Sequence, residues 1–405
     1  MEIRELSGPY RKAWWRSELG EFPADWKVVS IGSLQPFVTS GSRGWAAYYS
    51  DVGAPFLRIT NLSRSRVYPS LTELRYVALP VDSSEGVRTA LNTGDLLISI
   101  TADIGIIGLV TDEVDRPAYI NQHIALVRFS SGQTDSRYVA YFLAGEAAQR
   151  RFRAMTDAGA KAGMNLAGVR DVLVAIPPSA HEQWAIAEAL ADADALIDSL
   201  GQLLAKKRQI KQGVMQEPLT GERRLPGFDR GWTVRRLGDL LSIRHGRSQA
   251  HVECALGEYP IFATGGQIGW AKRFLHDGPS VLIGRKGTID KPRYTDSPFW
   301  SVDTLFYSEV RKPNVAKFLF YRFCLIDWMR YNEASGVPSL NAKVIESLEI
   351  LCPDPEEQQA ITGTLSDLDT EIAGLESRLT KARGLKQAMA QALLTGRIRL
   401  LEPVA

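Results

Sequence analysis

The sequence predicts an α+β protein: two mixed α/β domains joined by two long antiparallel coiled-coil helices in a pseudo-twofold arrangement. Three observations predict this fold class: a gapless repeat of one helical segment, an apolar seam along both copies, and a charge reversal within each copy. The chain of 405 residues is long enough for two or three domains with cores of their own.

The repeated segment covers residues 182–225 and residues 357–400. The two copies align without a gap, 175 positions apart, with 20 identities in 44 positions, and both contain Leu-Thr-Gly near the end. A weaker repeat relates Trp26 to Trp232, 206 positions apart. The helical segments are therefore repeated closely, whereas the domains between them have diverged.

Apolar residues recur in both copies at alternating spacings of four and three, which is typical of a coiled-coil seam. The residues predicted to pair the helices are Ile186, Leu190, Ile197, Leu200, Leu204, Ile361, Leu365, Leu368, Ile372, Leu375 and Leu379. The alternative is that each helix packs on its own domain. About 35 residues at ~1.5 Å each would give a helix of roughly 50 Å. Pro218 has no counterpart in the second copy and is predicted to end or kink the first helix early.

Each copy is acidic in its first half and basic in its second. Between Glu182 and Leu200 there are five acidic residues and no basic one, and between Lys206 and Leu225 there are six basic and two acidic residues. Antiparallel pairing sets the acidic half of each helix against the basic half of the other, whereas parallel pairing sets like charges together. The charges therefore favour an antiparallel pair.

We divide the chain into five parts by this repeat. They are an N-terminal segment (1–20), a first globular domain (21–165), a central repeated helical region (166–222), a second globular domain (223–345) and a C-terminal repeated helical region (346–405). The N-terminal segment, with Tyr10, Trp14 and Trp15, is expected to pack on the first domain or the helices. Predicted elements are a hairpin (96–100 and 105–110), strands (124–129, 281–283 and 304–307) and helices (137–155 and 316–330).

Basic, amide and aromatic side chains cluster in turn-rich stretches of both domains. This suits nucleic acid, because lysine and arginine neutralise phosphates while arginine and amide groups read base edges. The candidate DNA-binding residues of the first domain are Arg43, Trp45, Tyr48, Tyr49, Arg58, Asn61, Arg64 and Arg66. Those of the second domain are Arg244, His245, Arg247, Gln249, Lys272, Arg273, Arg285, Lys286, Lys291 and Arg293. The alternative for each cluster taken alone is an ordinary solvated surface.

Several classes of catalytic site are missing from the sequence. It contains no Gly-x-x-x-x-Gly-Lys-Ser/Thr phosphate loop and no glycine-rich dinucleotide fingerprint. The five histidines and three cysteines show no metal-ligand spacing. We therefore expect a protein that binds rather than catalyses, with no catalytic, cofactor or metal site of its own.

Several segments, in this order, are typical of one family. They are Gly41-Ser-Arg-Gly-Trp-Ala-Ala-Tyr-Tyr49, Ile120-Asn-Gln-His-Ile124, Gly284-Arg-Lys-Gly-Thr288, Val302-Asp-Thr-Leu-Phe-Tyr307 and Glu357-Gln-Gln-Ala-Ile361. Together with the duplicated frame, they make the chain resemble the specificity subunit of a Type I restriction-modification system over essentially its whole length.

The resemblance implies two target-recognition domains, each reading one half of a bipartite, asymmetric site in double-stranded DNA. The helices would set the spacing and dock two modification (methyltransferase) subunits. Those subunits would bind S-adenosylmethionine, and restriction/translocase subunits would use ATP and Mg²⁺. The three unclustered cysteines fit reduced thiols in a cytoplasm, no signal peptide is visible, and the longest apolar stretch, 96–110, falls short of a membrane span. We therefore expect a cytoplasmic protein without a membrane partner.

Three alternatives stay open at the level of sequence. The partner could be a fused Type II-like restriction-methyltransferase, which adjacent genes would reveal. The chain could be a coiled-coil scaffold that binds proteins, in which case binding would not weaken steeply with salt. It could also be an enzyme with an unrecognised site, which cofactor binding by the isolated chain would support.

Overall fold

A computed structural model describes residues 4–5, 14–41, 43–80, 83–130, 132, 134–157 and 163–400. The chain divides into two compact units. Unit 1 consists of Met1–Leu200 with Arg378–Ala405, and unit 2 consists of Gly201–Ser377. Each unit therefore contains one globular domain, the first part of one long helix and the last part of the other.

The elements of unit 1 up to the first long helix are mostly short strands. The strands are β1 (Arg4–Glu5), β2 (Trp14–Ser17), β3 (Gly20–Pro23), β4 (Lys27–Ser30), β5 (Phe37–Ser40), β6 (Tyr49–Ser50), β7 (Ala54–Leu57), β8 (Arg75–Val77), β9 (Leu96–Ser99), β10 (Ile107–Leu109), β11 (Tyr119–Ile120), β12 (Ile124–Arg128) and β13 (Leu173–Ile176). The helices are α1 (Ser84–Thr89), α2 (Ser136–Ala144), α3 (Glu146–Asp157), α4 (Leu166–Arg170) and α5 (Ala180–Thr220), the last continuing into unit 2.

Unit 2 continues the chain from the end of α5. Its strands are β14 (Thr233–Arg236), β15 (Leu241–His245), β16 (Tyr259–Ala263), β17 (Gly266–Ala271), β18 (Ser280–Gly284), β19 (Arg293–Thr295), β20 (Trp300–Ser301), β21 (Leu305–Val310) and β22 (Glu349–Cys352). Its helices are α6 (Leu237–Leu240), α7 (Ala316–Leu325), α8 (Ala342–Ser347) and α9 (Pro355–Leu393), the last continuing into unit 1, where strand β23 (Ile398–Arg399) follows.

The two domains share one sheet topology. The main sheet is antiparallel, in the order β5-β12-β9-β10 in unit 1 and β15-β21-β18-β19 in unit 2. A second sheet contains one parallel pair in each unit, β7 with β11 and β16 with β20. The predicted hairpin (β9 and β10) and the predicted strands 124–129, 281–283 and 304–307 are confirmed.

The main sheets are buried because their strands are apolar on both faces. All four residues of β9 and all five of β18 are buried. In unit 1 the core joins this sheet to α2, to Ile186 and Leu190 of α5 and to Leu393 of α9. In unit 2 the core likewise includes Ile361 and Leu365 of α9.

Both predicted domain helices are shorter than expected. Residues 137–155 form two helices, since Gly145 is extended (ψ 159°) and lies between α2 and α3. Glycine favours such a break because it is a weak helix former. The second helix, predicted for 316–330, ends at Leu325 and a 3-10 turn begins at Trp328. The Trp328 indole N–H donates to Phe323 O (2.8 Å), which satisfies a carbonyl of the last helical turn.

Pro218 does not end the first long helix early. Helix α5 continues through Pro218 to Thr220 and has 41 residues, and α9 has 39. Only Leu219 and Thr220 follow Pro218 in the helix, so a proline here disturbs the last turn and leaves the rest of α5 unbroken. The turn that follows holds Gly221 at φ +81°, and Gly396 has φ +69° after α9. The repeated Leu-Thr-Gly thus supplies a left-handed residue at the end of each helix.

The long helices run antiparallel in each unit. In unit 1, Asp194 of α5 pairs with Lys386, while Glu182, earlier in α5, pairs with Arg399, later in the chain. In unit 2, Arg208 of α5 pairs with Glu376, and Lys211, later in α5, pairs with Asp369, earlier in α9. The two helices therefore run in opposite directions here as well. The predicted fold class is therefore confirmed, and the acidic half of each helix meets the basic half of the other.

Two polar clusters recur in both units. In unit 1, Tyr141 donates to Asp194 Oδ2 (2.9 Å), and the Lys386 ammonium lies 5.7 Å from the Tyr141 ring centroid. In unit 2, Tyr321 donates to Asp369 Oδ2 (2.7 Å), with Lys211 5.7 Å from its ring. Burial raises the pKa of both tyrosines, so both stay protonated and donate.

The second recurring cluster connects the repeated tryptophan near the start of each globular domain, Trp26 or Trp232, to the long helices. Arg399 Nε bonds Glu182 Oε1 (2.6 Å) and its guanidinium lies 5.8 Å from the Trp26 ring. Arg224 Nε bonds Glu357 Oε1 (2.7 Å) and lies 5.9 Å from Trp232. In each unit, therefore, an arginine of the repeated helical segment contacts the tryptophan of the weaker repeat.

The predicted seam is partly a domain core. Ile186, Leu190, Ile361 and Leu365 pack in the cores of their own domains, as the alternative interpretation holds. Further along, Leu204, Leu375 and Leu379 are buried. The other predicted positions are half-buried: Ile197, Leu200, Leu368 and Ile372.

Two further expectations concern the borders of the domains. Strands β13 and β22, which we assigned to the helical regions, pair with β4 and β14 and so extend the globular domains. In the N-terminal segment, β1 pairs with β23 and β2 pairs with β3. Trp15 donates to Trp26 O (3.2 Å), so this part packs on the first domain, while Tyr10 lies outside the described residues.

Candidate nucleic-acid interface

In unit 2, three loops meet at one end of the main sheet, and we call them loop edge 2. They are residues 246–250, 285–288 and 301–304. Backbone hydrogen bonds join them, from Arg247 N to Ser301 O (2.8 Å) and from Arg285 N to Thr304 O (2.8 Å). Loop edge 2 is therefore a fixed backbone frame rather than three independent loops.

Unit 1 has a matching frame, which we call loop edge 1. Its described residues are 41, 43–45, 100–103 and 120–123. Ile100 N donates to His123 O (2.9 Å), and Ile100 O accepts from Met164 N (2.8 Å). Arg285 makes the equivalent two bonds in unit 2, and the second comes from Leu340 N (3.0 Å). Because these bonds are shared, residues of loop edge 1 can be aligned with residues of loop edge 2.

Glycine opens the first loop of each edge because nothing larger fits. A Cβ on Gly41 would lie 2.2 Å from Ile120 O, and one on Gly246 would lie 1.9 Å from Val302 O. Positive φ angles also match, at Ala102 (61°) and Gly287 (91°). The matched positions are Gly41 and Gly246, Ile100 and Arg285, Thr101 and Lys286, Ala102 and Gly287, and His123 and Thr304.

Loop edge 2 is basic. Arg247 and Lys286 are exposed, and Arg285 is half-buried. Arg285 Nη1 donates to Asp303 O (3.1 Å), which holds the guanidinium in place. Arg293, in β19, donates to Gly265 O (2.9 Å). Loop edge 2 therefore contains four of the predicted residues, Arg247, Gln249, Arg285 and Lys286.

Loop edge 1 is built from uncharged groups that the sequence interpretation missed. Thr101 Oγ1 and His123 Nδ1 are 2.5 Å apart, and Gln122 Nε2 lies 3.0 Å from His123 Nε2. Arg43, which was predicted, is exposed on the first loop of this edge. The segment Ile120-Asn-Gln-His-Ile124 was visible in the sequence, but its residues carry no charge cluster.

Two predicted residues of the first domain are buried and serve the fold. Trp45 is 3% exposed and stacks on Phe56, with ring centroids 5.0 Å apart. Asn61 is 3% exposed, accepts from Arg58 N (3.0 Å) and donates to Ser70 O (3.2 Å). Direct contact of these two side chains with DNA does not fit their burial, so we remove them from the candidates.

One of the other predicted residues of the first domain braces loop edge 1, and the rest lie outside it. Tyr48 ends a 3-10 turn and Tyr49 begins β6, and their side chains are 41% and 47% exposed. Arg64 bonds Asp103 and Ile104 O, and so braces the loop between β9 and β10. The two remaining arginines are half-buried Arg58 and Arg66, the latter 3.5 Å from Asp198.

Apart from Gln249, the remaining predicted residues of the second domain lie outside loop edge 2. Arg244 pairs with Glu309 (2.8 Å), and the His245 ring lies 4.9 Å from that of Phe306. Arg273 lies 5.8 Å from the Trp300 ring, and the Trp300 indole donates to Arg247 O (2.9 Å). Lys272 and Lys291 are exposed, and Gln249 is half-buried.

The part of the chain that the structure describes shows no cluster of three metal-ligating side chains. No helix in it is long and apolar enough to cross a membrane. The observed arrangement is thus two matched loop frames, each carrying its own set of hydrogen-bonding side chains.

Comparison with known proteins agrees with this arrangement. The family model described as the Type I restriction modification DNA specificity domain matches twice, over residues 23–209 and 229–382. A curated relative, the putative type I restriction enzyme MjaX specificity subunit of Methanocaldococcus jannaschii, is 23% identical over 95% of this chain and 96% of its own length.

Solved structures show the same fold. The Type I restriction-modification system S subunit from M. genitalium superimposes with a TM-score of 0.67, at 13% identity, over 91% of this chain and 96% of that chain. A chain from a structure of a type I R-M system gives a TM-score of 0.51, at 16% identity, over 93% and 99%. With two family domains covering most of its length, the chain belongs to the Type I restriction modification DNA specificity family and is a specificity subunit.

Proposed function

We propose that each domain reads one half of a bipartite, asymmetric site in double-stranded DNA, and reads it with its loop edge. One observation carries the proposal: the two edges share a backbone frame but differ in side chains. A common frame would dock equivalently on two half-sites, while different side chains would select different bases. Thr101 stands where Lys286 does, and Ile100 where Arg285 does.

We further infer that the helices set the distance between half-sites and dock two modification subunits. The repeat of 20 identities in 44 positions supports this, because two copies of one partner need equivalent surfaces. S-adenosylmethionine would bind the modification subunits, and ATP and Mg²⁺ the restriction/translocase subunits. The assembly would work in the cytoplasm, where DNA is accessible.

The division between domains is tested by two matched variants in the reconstituted complex. Arg43→Ala changes loop edge 1, and Arg247→Ala changes loop edge 2; both side chains are exposed. Each should weaken binding to duplexes with its own half-site intact and leave discrimination at the other half unchanged. Base preference would be measured on duplexes altered in one half at a time. Equal loss of discrimination in both halves for either variant would contradict the proposal.

The recognised site itself would come from long-read mapping of adenine methylation with and without this gene. Two separated specific segments are expected. A single continuous segment, or methylation that does not depend on the gene, would overturn the bipartite reading.

A further inference from the structure

We propose that Arg285 reads a guanine in the half-site of the second domain, and that the first domain reads its half-site without a charged group at the matched position. This rests on the proposed function and names the residue and base that carry it. Guanine presents two acceptors, O6 and N7, in the major groove, and a guanidinium matches them with two parallel donors.

The first step of the argument is the orientation of Arg285. Its main chain is fixed by two hydrogen bonds, to Thr304 O (2.8 Å) and from Leu340 N (3.0 Å). Its side chain is anchored by one, from Nη1 to Asp303 O (3.1 Å). Within the described chain this leaves Nε and Nη2 free as a pair of donors. An arginine held this way loses little conformational entropy when it binds a base.

The second step separates Arg285 from its basic neighbours. Arg293 donates to Gly265 O (2.9 Å) and its Nε is buried, so its fork is not presented outward. Arg244 bonds Glu309 (2.8 Å). Lys286 and Arg247 are exposed, without a side-chain hydrogen bond to any part of the chain that the structure describes, so neither side chain is held in one orientation. Among these basic residues, and within the described chain, only Arg285 combines an anchored Nη1 with an Nε–Nη2 edge that makes no hydrogen bond.

The third step is the matched position in unit 1. Ile100 makes the same two main-chain bonds but is buried, at 6% exposure. The groups that reach the surface beside it are the Thr101 hydroxyl and the His123 ring, which contact each other (2.5 Å). The two domains therefore offer different chemistry on one frame, and the first domain has no arginine at the position of Arg285.

The test uses the reconstituted complex and duplexes in which each guanine is replaced in turn by 7-deazaguanine, which lacks the N7 acceptor. One replacement in the second domain's half-site should weaken binding by the native protein several-fold. In Arg285→Ala that penalty should disappear, and discrimination against other bases at the same pair should fall by about 5- to 150-fold. Arg285→Lys should keep the salt dependence of binding, because the charge is unchanged. It should lose the discrimination, because an ammonium group lacks the two parallel, coplanar donors of a guanidinium.

Lys291→Ala is the matched control, since Lys291 is exposed in the same domain and lies outside loop edge 2. It should lower affinity for all duplexes slightly and keep the 7-deazaguanine penalty. A half-site of the second domain without any guanine, or a penalty that persists unchanged in Arg285→Ala, would overturn the proposal for Arg285. Loss of discrimination in both half-sites would instead overturn the proposed division between domains. Thermal unfolding of each variant confirms that it is folded.

Discussion

Glu182 and Glu357 are buried carboxylates at the start of the two long helices, and each is neutralised by an arginine of its own unit. Their side chains are 1% and 2% exposed. Arg399 contacts Glu182 through two nitrogens and also bonds Asp25 (2.8 Å). Removing one partner of such a pair leaves an uncompensated charge in the core, which costs more than the pair contributes.

Arg399→Ala should therefore destabilise unit 1 by about 3–5 kcal/mol. Chemical denaturation followed by circular dichroism measures the loss. The matched control is Arg153→Ala, whose pair with Glu146 is exposed on both sides (52% and 68%). Its cost should stay below about 1 kcal/mol. Similar losses for the two variants would contradict the buried-charge explanation.

Residues also show where prediction from sequence stops. Arg285, Lys286 and Arg247 were predicted because charge in a turn-rich stretch is visible in the sequence, and the structure places them on loop edge 2. Thr101 and His123 were not predicted, because their proximity on loop edge 1 depends on a contact between residues far apart in the chain. Trp45 and Asn61 were chosen for residue type, but burial depends on strands that pack around them, which type alone does not specify.

At the scale of elements, the repeated glycines that follow the two long helices have a structural role. Gly396 is left-handed, and a Cβ there would lie 2.5 Å from Pro23 Cγ, whereas Gly201 lies inside α5 with nothing within 4 Å. Gly396→Ala should destabilise the protein by about 1 kcal/mol or more. Gly201→Ala should stabilise it by about 0.5–1 kcal/mol. Melting temperatures would show the two shifts, and shifts of equal sign would refute this account.

The predicted elements were most reliable where the chain is periodic. The long helices and their direction followed from spacing and charge, and the apolar strands from their composition. Helix ends were less predictable, as Pro218 and Gly145 show, since they depend on local hydrogen bonds and on side chains such as Trp328 that reach back to a carbonyl.

If the helices act as a ruler, lengthening both should lengthen the DNA site. Seven residues inserted after Leu203 and after Arg378, which are matched positions, keep the heptad register of both helices. The added ~10 Å should increase the half-site separation by about three base pairs. Methylation mapping would measure the separation. A folded variant that still directs methylation to the original site would contradict the proposal that helix length sets the half-site separation.

At the scale of the whole molecule, unit 1 is completed by a segment distant in sequence. Unit 1 needs Leu393, Leu394 and Leu400 in its core, and β1 pairs with β23. A chain that ends after Leu393 should therefore lose protection from hydrogen exchange in unit 1 while unit 2 keeps it. Uniform loss across both units would show that the C-terminal segment serves more than unit 1.

The exchange of helix ends between units also sets an order of folding during synthesis. The first domain leaves the ribosome about two hundred residues before the segment that finishes its core, whereas all of unit 2 lies in one uninterrupted stretch, Gly201–Ser377. The domain made second is thus the first that can be completed. Until Arg399 has been synthesised, the Glu182 carboxylate in the nascent chain lacks its ion-pair partner. The apolar side chains beside it likewise stay exposed to solvent.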